Sequence, residues 1–424
     1  MNRTQRQVLI MTRPTETSVA KSRLRRRLVQ LAGAMTAALC VASAALAQLP
    51  PEKSTVRVLP LPGPHWVYLL DPVTNFMEAR ISIIDGDKLS FEGMLSGGYM
   101  SVFAIAPDHK TLYLADTFYS RGTRGVRTDV VSIFDSATLN PVGEVVLPPK
   151  RLLSNPKPYT VGVTADDRFM LISNLTPATS TSVVDLNAKT MLGEIDTPGC
   201  TQILLSGNRK FTAMCADGSL MTVTFGDDGK ATAKNRAKPF FDVEKDPVFD
   251  QPVMIGATVY FVSYHGTVYP VDLSGDTAKP GVSWPLLSGP DQAAHWLPGG
   301  WELEAIDARR GQLYVLMHQG IDWTQEQSGS EIWLYDVARK NRVGRIVLPQ
   351  KADSIYVTPD DKPLLFVASH DRGTLQTFDA VAGTYRGVIN DLGSPWIIYG
   401  APMPAAAVTT PIAVPMPQSA STTH

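Results

Sequence analysis

The hydrophobic and polar positions of this chain repeat in a recurring phrase. Each copy has apolar residues alternating with small polar ones, then an aspartate, several variable residues and Gly-x-apolar. The clearest copies are residues 81–85 with Gly93, and residues 131–135 with Gly143. Alternation with a period of two residues is typical of β-strands that bury one face. The phrase therefore predicts a strand that ends at each aspartate.

The spacing of the marking aspartates indicates the architecture. Successive marks are separated by 50, 50, 42, 45, 64 and 43 residues, and the long interval is assigned to an insertion around 285–302. One four-stranded propeller blade takes about 40–50 residues. We therefore predict an all-β, seven-bladed β-propeller of four-stranded antiparallel blades over residues 48–400, with six or eight blades as alternatives. The marks are Asp85, Asp135, Asp185, Asp227, Asp272, Asp336 and Asp379.

A second phrase lies between the marks. It consists of an apolar run, a short turn with an aspartate and a basic residue, and another apolar run, as in residues 104–114, 163–171 and 357–366. Aspartate tolerates turn dihedrals and bonds its own backbone, so the phrase predicts a β-hairpin. Each blade is thus expected to be a small antiparallel meander. Radial stacking of such meanders buries their faces and protects their edges.

The two ends of the chain do not carry the repeat. Four arginines within 23–27 precede an uncharged apolar stretch from 28 to 49, and Ala-Leu-Ala at 45–47 fits a cleavage site. We therefore predict that residues 1–47 are a cleaved signal peptide and not a membrane anchor, exported by the general or the twin-arginine route. Residues 401–424 are rich in Pro, Ala, Ser and Thr, which predicts a disordered tail.

Removal of the signal changes the charge of the chain. The whole chain has 39 basic and 40 acidic residues, but eight of the basic ones and one acidic one lie within 1–47. The mature protein would carry a net charge of about −8, which argues against nucleic acid as a partner because neutralising phosphates needs a basic face. No other apolar stretch has the length needed to span a membrane.

Two cysteines remain after the signal, Cys200 and Cys215, fifteen positions apart. In an oxidising compartment this pair suggests a disulfide across neighbouring strands of one blade. Two buried free thiols are the alternative.

The sequence shows none of the common catalytic motifs. Its seven histidines are scattered, and it has no Cys-x-x-Cys, no His-Glu-x-x-His, no Gly-x-Ser-x-Gly and no Walker loop. From the residues alone we expect an exported platform without a metal, haem or nucleotide site of its own.

The first segment that breaks the repeat surrounds Tyr99. Gly97 and Gly98 free the backbone just before the aromatic ring. This arrangement would let Tyr99 stand out at one rim of the propeller. A plain hairpin with the ring packed down is the alternative.

Two further segments look like surface features. One carries Arg121, Arg124 and Arg127 in a glycine-containing loop, which fits an anionic-ligand clamp, an ion-paired loop or a protein contact. The other is a turn flanked by Trp296 and Trp301, which fits rim packing or interface anchors. We consider these five residues candidates for a partner interface.

These segments also carry a family resemblance. The chain resembles, over about residues 67–392, the heavy subunit of the tryptophan-tryptophylquinone amine dehydrogenases, namely methylamine and aromatic amine dehydrogenase. Six motifs carry it: Gly-Met-x-x-Gly-Gly-aromatic at 93–99, Arg-x-x-Arg-Gly-x-Arg-Thr-Asp at 121–129, Leu-Pro-Pro-Lys-Arg at 147–151, Pro-Ala-Thr-Ser at 177–180, the cysteine pair with Asp-Gly-Ser-Leu at 217–220, and Trp-x-Pro-Gly-Gly-Trp at 296–301.

The resemblance implies a periplasmic heterotetramer of two heavy and two light chains. The light chain would carry the tryptophan tryptophylquinone, and this chain would bind no cofactor. The assembled enzyme would oxidise a primary amine to an aldehyde and ammonia and pass electrons to a blue-copper protein or a c-type cytochrome. A supporting subunit without catalytic residues agrees with a sequence that has none of the common catalytic motifs.

The resemblance also assigns a role to Tyr99. This residue takes the motif position of an aromatic side chain that lines the substrate channel, where the methylamine enzymes typically have phenylalanine. Two rival interpretations remain: a stand-alone exported binding propeller, and the propeller subunit of a quinohaemoprotein amine dehydrogenase.

Overall fold

The alternating apolar residues of the repeat form the strands of seven antiparallel sheets. The structure is a computed structural model that describes residues 58–72, 78–154 and 157–400. The predicted signal peptide and tail therefore lie outside the described residues. None of the helices within the described ranges is long and apolar enough to cross a membrane.

The strands follow one another along the chain, blade by blade. Blade one contains β1 (Trp66–Asp71), β2 (Arg80–Asp85) and β3 (Ser90–Ser96). Blade two contains β4 (Val102–Ile105), β5 (Thr111–Tyr119), β6 (Arg127–Asp135) and β7 (Pro141–Leu147). A 3-10 turn (Pro158–Thr160) precedes blade three, with β8 (Val161–Val163), β9 (Phe169–Asn174), β10 (Ser180–Asp185) and β11 (Thr190–Asp196). Blade four contains β12 (Cys200–Leu205), β13 (Lys210–Cys215), β14 (Leu220–Phe225) and β15 (Ala231–Arg236).

The last three blades complete the ring. Blade five contains β16 (Val253–Ile255), β17 (Thr258–Val262), β18 (Thr267–Asp272), β19 (Lys279–Pro280) and β20 (Trp284–Pro285). Blade six follows a short helix α1 (Gly289–Ala293) and contains β21 (Trp296–Pro298), β22 (Glu304–Asp307), β23 (Gln312–Gln319), β24 (Gly329–Asp336) and β25 (Asn341–Ala352). Blade seven contains β26 (Ser354–Val357), β27 (Leu364–Ser369), β28 (Thr374–Asp379) and β29 (Tyr385–Ile389), and the chain ends its described part in β30 (Ile397–Gly400).

The final strand closes the ring by pairing with the first. In blades two to seven the strands run from the axis outwards in chain order, whereas β30 supplies the inner strand of blade one and pairs antiparallel with β1. Its register places Ile397 opposite Leu70 and Gly400 opposite Val67. The predicted count of seven blades is confirmed, and the predicted insertion around 285–302 holds α1 and β21.

Six of the seven marking aspartates are the last residues of third strands, as the repeat predicts, and Asp227 lies two residues beyond the end of β14. Six of them accept backbone N–H groups two or three residues ahead; the Oδ1 atom of Asp85, for example, accepts from Asp87 and Lys88. Asp227 instead forms ion pairs with Arg168 and Arg209. Five repeat glycines lie in fourth strands, each pairing with the third strand just beside a β-bulge.

The hydrophobic core lies between neighbouring blades. One cluster joins Val131 of blade two to Met170 and Val184 of blade three, and another joins Val67 of blade one to Phe366 of blade seven. Each fully buried aliphatic or aromatic side chain contributes about 1.5–3 kcal/mol to folding. No blade buries both faces alone, so the blades depend on one another for stability.

Candidate functional site

The segments singled out in the sequence lie on the same face of the propeller. In a four-stranded meander, the loop from the second to the third strand and the connection to the next blade leave at the same end. Tyr99 lies between β3 and β4, Arg121 and Arg124 lie between β5 and β6, and Trp301 lies between β21 and β22. We call this end of the propeller the upper face.

Tyr99 is partly exposed at the upper face, between blades one and two. Its ring packs edge-on against Tyr119, with ring centroids 5.8 Å apart, and its N–H donates to the carbonyl of Thr117 at 2.7 Å. A Cβ atom on Gly98 would lie 2.6 Å from that same carbonyl. Glycine is therefore required for the close approach that presents Tyr99.

The backbone beneath Tyr99 is held by a buried arginine. Arg151 is 2% exposed, and its guanidinium donates to the carbonyls of Tyr99 and Met100 at 3.0 and 2.9 Å and to the hydroxyl of Thr117 at 2.8 Å. Burial lowers the pKa of Arg151 to about 10, while nearby Asp129 and Asp116 oppose that shift. The loop is thus fixed by a buried charged network.

The three candidate arginines have different surroundings. Arg127 donates to both carboxylate oxygens of Asp129, at 2.8 and 2.7 Å, and to the carbonyl of Arg151 at 2.7 Å. It therefore belongs to the same network as Tyr99. Arg121 and Arg124 are exposed, and within the described ranges no carboxylate forms an ion pair with either. The loop therefore has one arginine in an ion pair, Arg127, and two arginines that are exposed to solvent.

The two candidate tryptophans are likewise separated by the fold. Trp296 packs against Trp333 of blade six at 5.2 Å between ring centroids, with Arg345 over its ring. Trp301 packs edge-on against Trp396 at 4.9 Å. The backbone N–H of Trp301 donates to the carbonyl of Asp353 at 2.6 Å, directly before the inner strand β26 of blade seven.

The predicted disulfide is present. Cys200 and Cys215 are bonded, and they pair directly across β12 and β13 of blade four. The alternative of two free thiols is therefore wrong. Cys215 also lines a cavity of about 470 Å³ on the upper face, together with Lys157, Gln251 and Trp301.

A central channel passes between the inner strands of all seven blades. Its cavity has a volume of about 520 Å³, and most of its wall is apolar. Glu302, Glu304 and Gln251 are the polar exceptions, together with the tyrosines Tyr159, Tyr356 and Tyr399. Gln251 lines both this channel and the cavity on the upper face, and its side-chain N–H donates to the carbonyl of Trp301 at 3.1 Å.

Sequence reasoning missed Arg151 as a functional candidate, and it missed the channel carboxylates. The alternation of Trp301, Glu302, Leu303 and Glu304, with Leu303 fully buried, was the available signal for two acidic side chains on one side of an inner strand. Nothing local in the sequence marks Arg151 as a partner of Tyr99. Over the part of the chain that the structure describes, no group of three or more His, Cys, Asp or Glu residues could hold a metal ion.

Comparison with protein families gives one match that spans the propeller. Residues 64–401 match the family "Methylamine dehydrogenase heavy chain (MADH)". The chain is 30% identical to the methylamine dehydrogenase heavy chain of Methylophilus methylotrophus over 344 residues, which cover 81% of this chain and 84% of that one. It is also 30% identical to the corresponding heavy chain of Methylobacillus flagellatus over 332 residues, covering 77% and 82% of the two chains.

Solved structures show the fold alone. A functionally unknown protein from Desulfotomaculum acetoxidans superposes with a TM-score of 0.57 at 13% sequence identity, covering 79% of this chain and 98% of that chain.

Proposed function

The chain belongs to the methylamine dehydrogenase heavy chain family, and on that premise we propose that it is the propeller subunit of an exported, periplasmic amine dehydrogenase. The observation that carries the proposal is the extent of the match. It runs from residue 64 to residue 401 and therefore takes in every blade, from β1 to β30.

The proposed enzyme divides its work between two kinds of chain. A light-chain partner would carry tryptophan tryptophylquinone, in an assembly of two heavy and two light chains. That group would supply the oxidation of a primary amine to an aldehyde and ammonia, with electrons leaving to a blue-copper protein or a c-type cytochrome. The residues of this chain would hold the partner, shape the approach of the amine and exclude water.

The upper face is the surface that we assign to the light chain. Tyr99 is presented there on a loop fixed by Arg151, which suits a side chain that must keep its position beside a substrate path. Arg121 and Arg124 add two exposed positive charges to a protein that is acidic overall once the predicted signal is removed. An acidic patch on the light chain would complement them.

Isolation of the native assembly tests the proposed function. The chain is purified from its host under non-denaturing conditions, and the absorption spectrum and intact masses of the material are recorded. We expect a smaller partner with a cross-linked, oxygenated tryptophan pair and a quinone absorbance that a primary amine bleaches. A colourless single chain would contradict the proposal and favour a binding propeller, and a dihaem partner would favour the quinohaemoprotein alternative.

Charge reversal tests the assigned face. The double variant Arg121→Glu, Arg124→Glu should lower the amount of light chain that copurifies by at least tenfold, because it places acidic residues against a complementary surface. Lys230→Glu is the matched control, since Lys230 is 80% exposed and lies in a turn between third and fourth strands, at the opposite end of the propeller. Equal recovery of light chain with both variants would move the interface elsewhere.

A further inference from the structure

The central channel combines apolar walls with two acidic side chains. Glu302 and Glu304 are the acidic residues among the described residues that line it, and no lysine, arginine or histidine joins them there. Apolar side chains from several blades line the rest of the channel, among them Ile105, Ile203 and Met254. A pocket with this composition is complementary to a guest that has a hydrocarbon part and one positive charge.

The hydrogen bonds of Glu304 leave part of its carboxylate without a partner. Its Oε1 atom accepts the N–H of Val262 at 3.2 Å, whereas Oε2 has no partner within the described structure. The residue is only 2% exposed. An unpaired carboxylate oxygen buried to this extent is costly unless a donor reaches it.

Gln251 supplies an independent sign of a missing donor. The side chain is 4% exposed, and its Nε2–H donates to the carbonyl of Trp301. Its Oε1 atom has no hydrogen-bond partner among the described residues. Gln251 belongs to blade five and Glu304 to blade six, yet both line the same cavity. Two unsatisfied acceptors from different blades therefore border one space.

Glu302 lies among the tyrosines of the channel. Its Oε2 atom accepts the N–H of Ile398 at 2.8 Å, and its charge contributes, after burial, to raising the pKa values of Tyr159, Tyr356 and Tyr399. Burial also raises the pKa of the Glu302 and Glu304 carboxyl groups well above the usual range. A cationic guest favours the ionised form of a carboxyl group and offsets that shift.

We propose that the central channel of this chain is a binding site for a small organic ammonium ion. The ammonium N–H groups would be shared among Glu302, Glu304 and the Gln251 carbonyl, and the hydrocarbon part would contact the apolar wall. Tyr159 and Tyr356 also line the channel, and the face of a tyrosine ring attracts a positive charge. A metal cation is a poorer fit, because calcium takes six to eight oxygen ligands and the described residues contain no cluster of three acidic or other metal-binding side chains.

The inference goes beyond the proposed catalytic role, since the site is built from this chain alone. Gln251 borders both the channel and the cavity on the upper face, so a guest could enter past Gln251 and Trp301. The channel would then hold ammonium ions next to the surface that we assign to the light chain.

Calorimetric titration tests the proposal on the full chain as purified, with any partner that it retains. The probe is N,N-dimethylbenzylammonium, which keeps an N–H donor but, as a tertiary amine, cannot follow primary-amine chemistry. The neutral comparison is 2-methyl-1-phenylpropan-2-ol, which has a similar shape and no charge. We expect saturable one-to-one binding of the ammonium ion per propeller, at least tenfold tighter than binding of the alcohol.

Three variants locate the site. Glu302→Gln and Glu304→Gln should each weaken binding of the ammonium ion at least tenfold, whereas Glu144→Gln, at an exposed position of β7, should leave it unchanged. Glutamine keeps an acceptor for the N–H of Val262 or Ile398, and thermal unfolding confirms that each variant is folded. Equal binding of the ammonium ion and the alcohol overturns the proposal without any variant. Unchanged binding in both channel variants also overturns the proposal, because the probe then binds outside the channel or in a partner. This outcome does not depend on the result of the light-chain experiments.

Discussion

At the scale of single residues, the upper face depends on contacts that fix backbone and side chain together. Tyr99 packs on Tyr119, while its carbonyl and that of Met100 accept from the buried guanidinium of Arg151. The two side chains therefore have separable roles: the ring of Tyr99 is partly exposed to solvent, and Arg151 holds the backbone that carries it.

We expect Tyr99→Ala to change amine preference without loss of the quinone. Removing the ring widens the path that we assign to the substrate, and one hydrocarbon group in such a pocket is worth about 10–200-fold in discrimination. The ratio of kcat/KM for an aryl amine to that for methylamine should shift by about tenfold. Tyr385→Ala is the control, because Tyr385 lies on the outer strand β29. Unchanged ratios in Tyr99→Ala would refute the role of this residue beside the substrate path on the upper face.

Arg151→Met should destabilise the whole chain. The variant leaves two backbone carbonyls and the nearby Asp129 and Asp116 without their buried cation, and breaking a buried charged network typically costs about 3–5 kcal/mol. Urea denaturation measures the change. Arg124→Met, at an exposed arginine of the neighbouring loop, should stay within about 0.5 kcal/mol of the wild type. A similarly small change in Arg151→Met would show that the network does not stabilise the fold.

At the scale of single elements, each blade is a meander whose turns are stabilised locally. The aspartates after the third strands accept N–H groups of their own turns, and blade four adds a covalent link between β12 and β13. The link lies at the end of the hairpin that borders the upper face, so it holds the first two strands of blade four together where loops diverge.

Replacing both cysteines by alanine should lower the free energy of unfolding by about 3 kcal/mol. The bond closes a loop with a sequence separation of 15 residues, and the chain-entropy treatment gives that magnitude for such a loop. Chemical denaturation of the double variant, compared with the wild type with and without reductant, measures the effect. If neither the double variant nor the reductant shifts the unfolding transition, the disulfide does not stabilise the fold by restricting the conformations of the unfolded chain.

At the scale of the whole molecule, the ring is held shut where its first and last blades meet. β30 pairs with β1 inside blade one. At the face of the propeller opposite the upper face, His65 bridges blade one and blade seven. The ring nitrogens of His65 lie 2.8 Å from Asp87, which follows β2, and 3.3 Å from Asp360 of blade seven.

The His65 bridge makes stability depend on pH. The hydrogen bond to Asp360, opposed by burial and aided by Asp87, raises the pKa of His65 to about 9. A raised pKa means that the native state binds the proton more tightly than the unfolded state, whose histidine pKa is about 6.5. The contribution is complete below about pH 6.5 and is lost as the pH rises through about 9.

Because solvent screens the half-buried pair, the full shift is not realised, and the free energy of unfolding should fall by on the order of 2 kcal/mol between pH 6.5 and 9. His65→Gln should remove most of this decline, while His295→Asn, at an exposed histidine, should keep it. Urea denaturation across this range is the measurement. A wild-type curve that is flat between these pH values would contradict the bridge.

Local pattern alone determined a large part of this structure. The period of two, the aspartate turns and the regular spacing of the marks predicted strands, hairpins and seven blades, because each depends on residues close together in the chain. The cysteine pair predicted its disulfide for the same reason, since the two residues face each other across one hairpin. The segments around Tyr99, the arginines and the tryptophans were recognised because they interrupt that pattern.

The tertiary structure decided which of these residues act together. β30 pairs with β1 about 330 residues away, and Arg151 reaches the carbonyls of Tyr99 and Met100 some 50 residues earlier in the chain. Glu302, Glu304 and Gln251 line one channel only because seven inner strands surround it. Such contacts join residues that are distant in sequence, and no local periodicity records them. The pattern along a strand predicts which face of that strand is buried. Only closure of the ring determines which residues lie opposite the buried face.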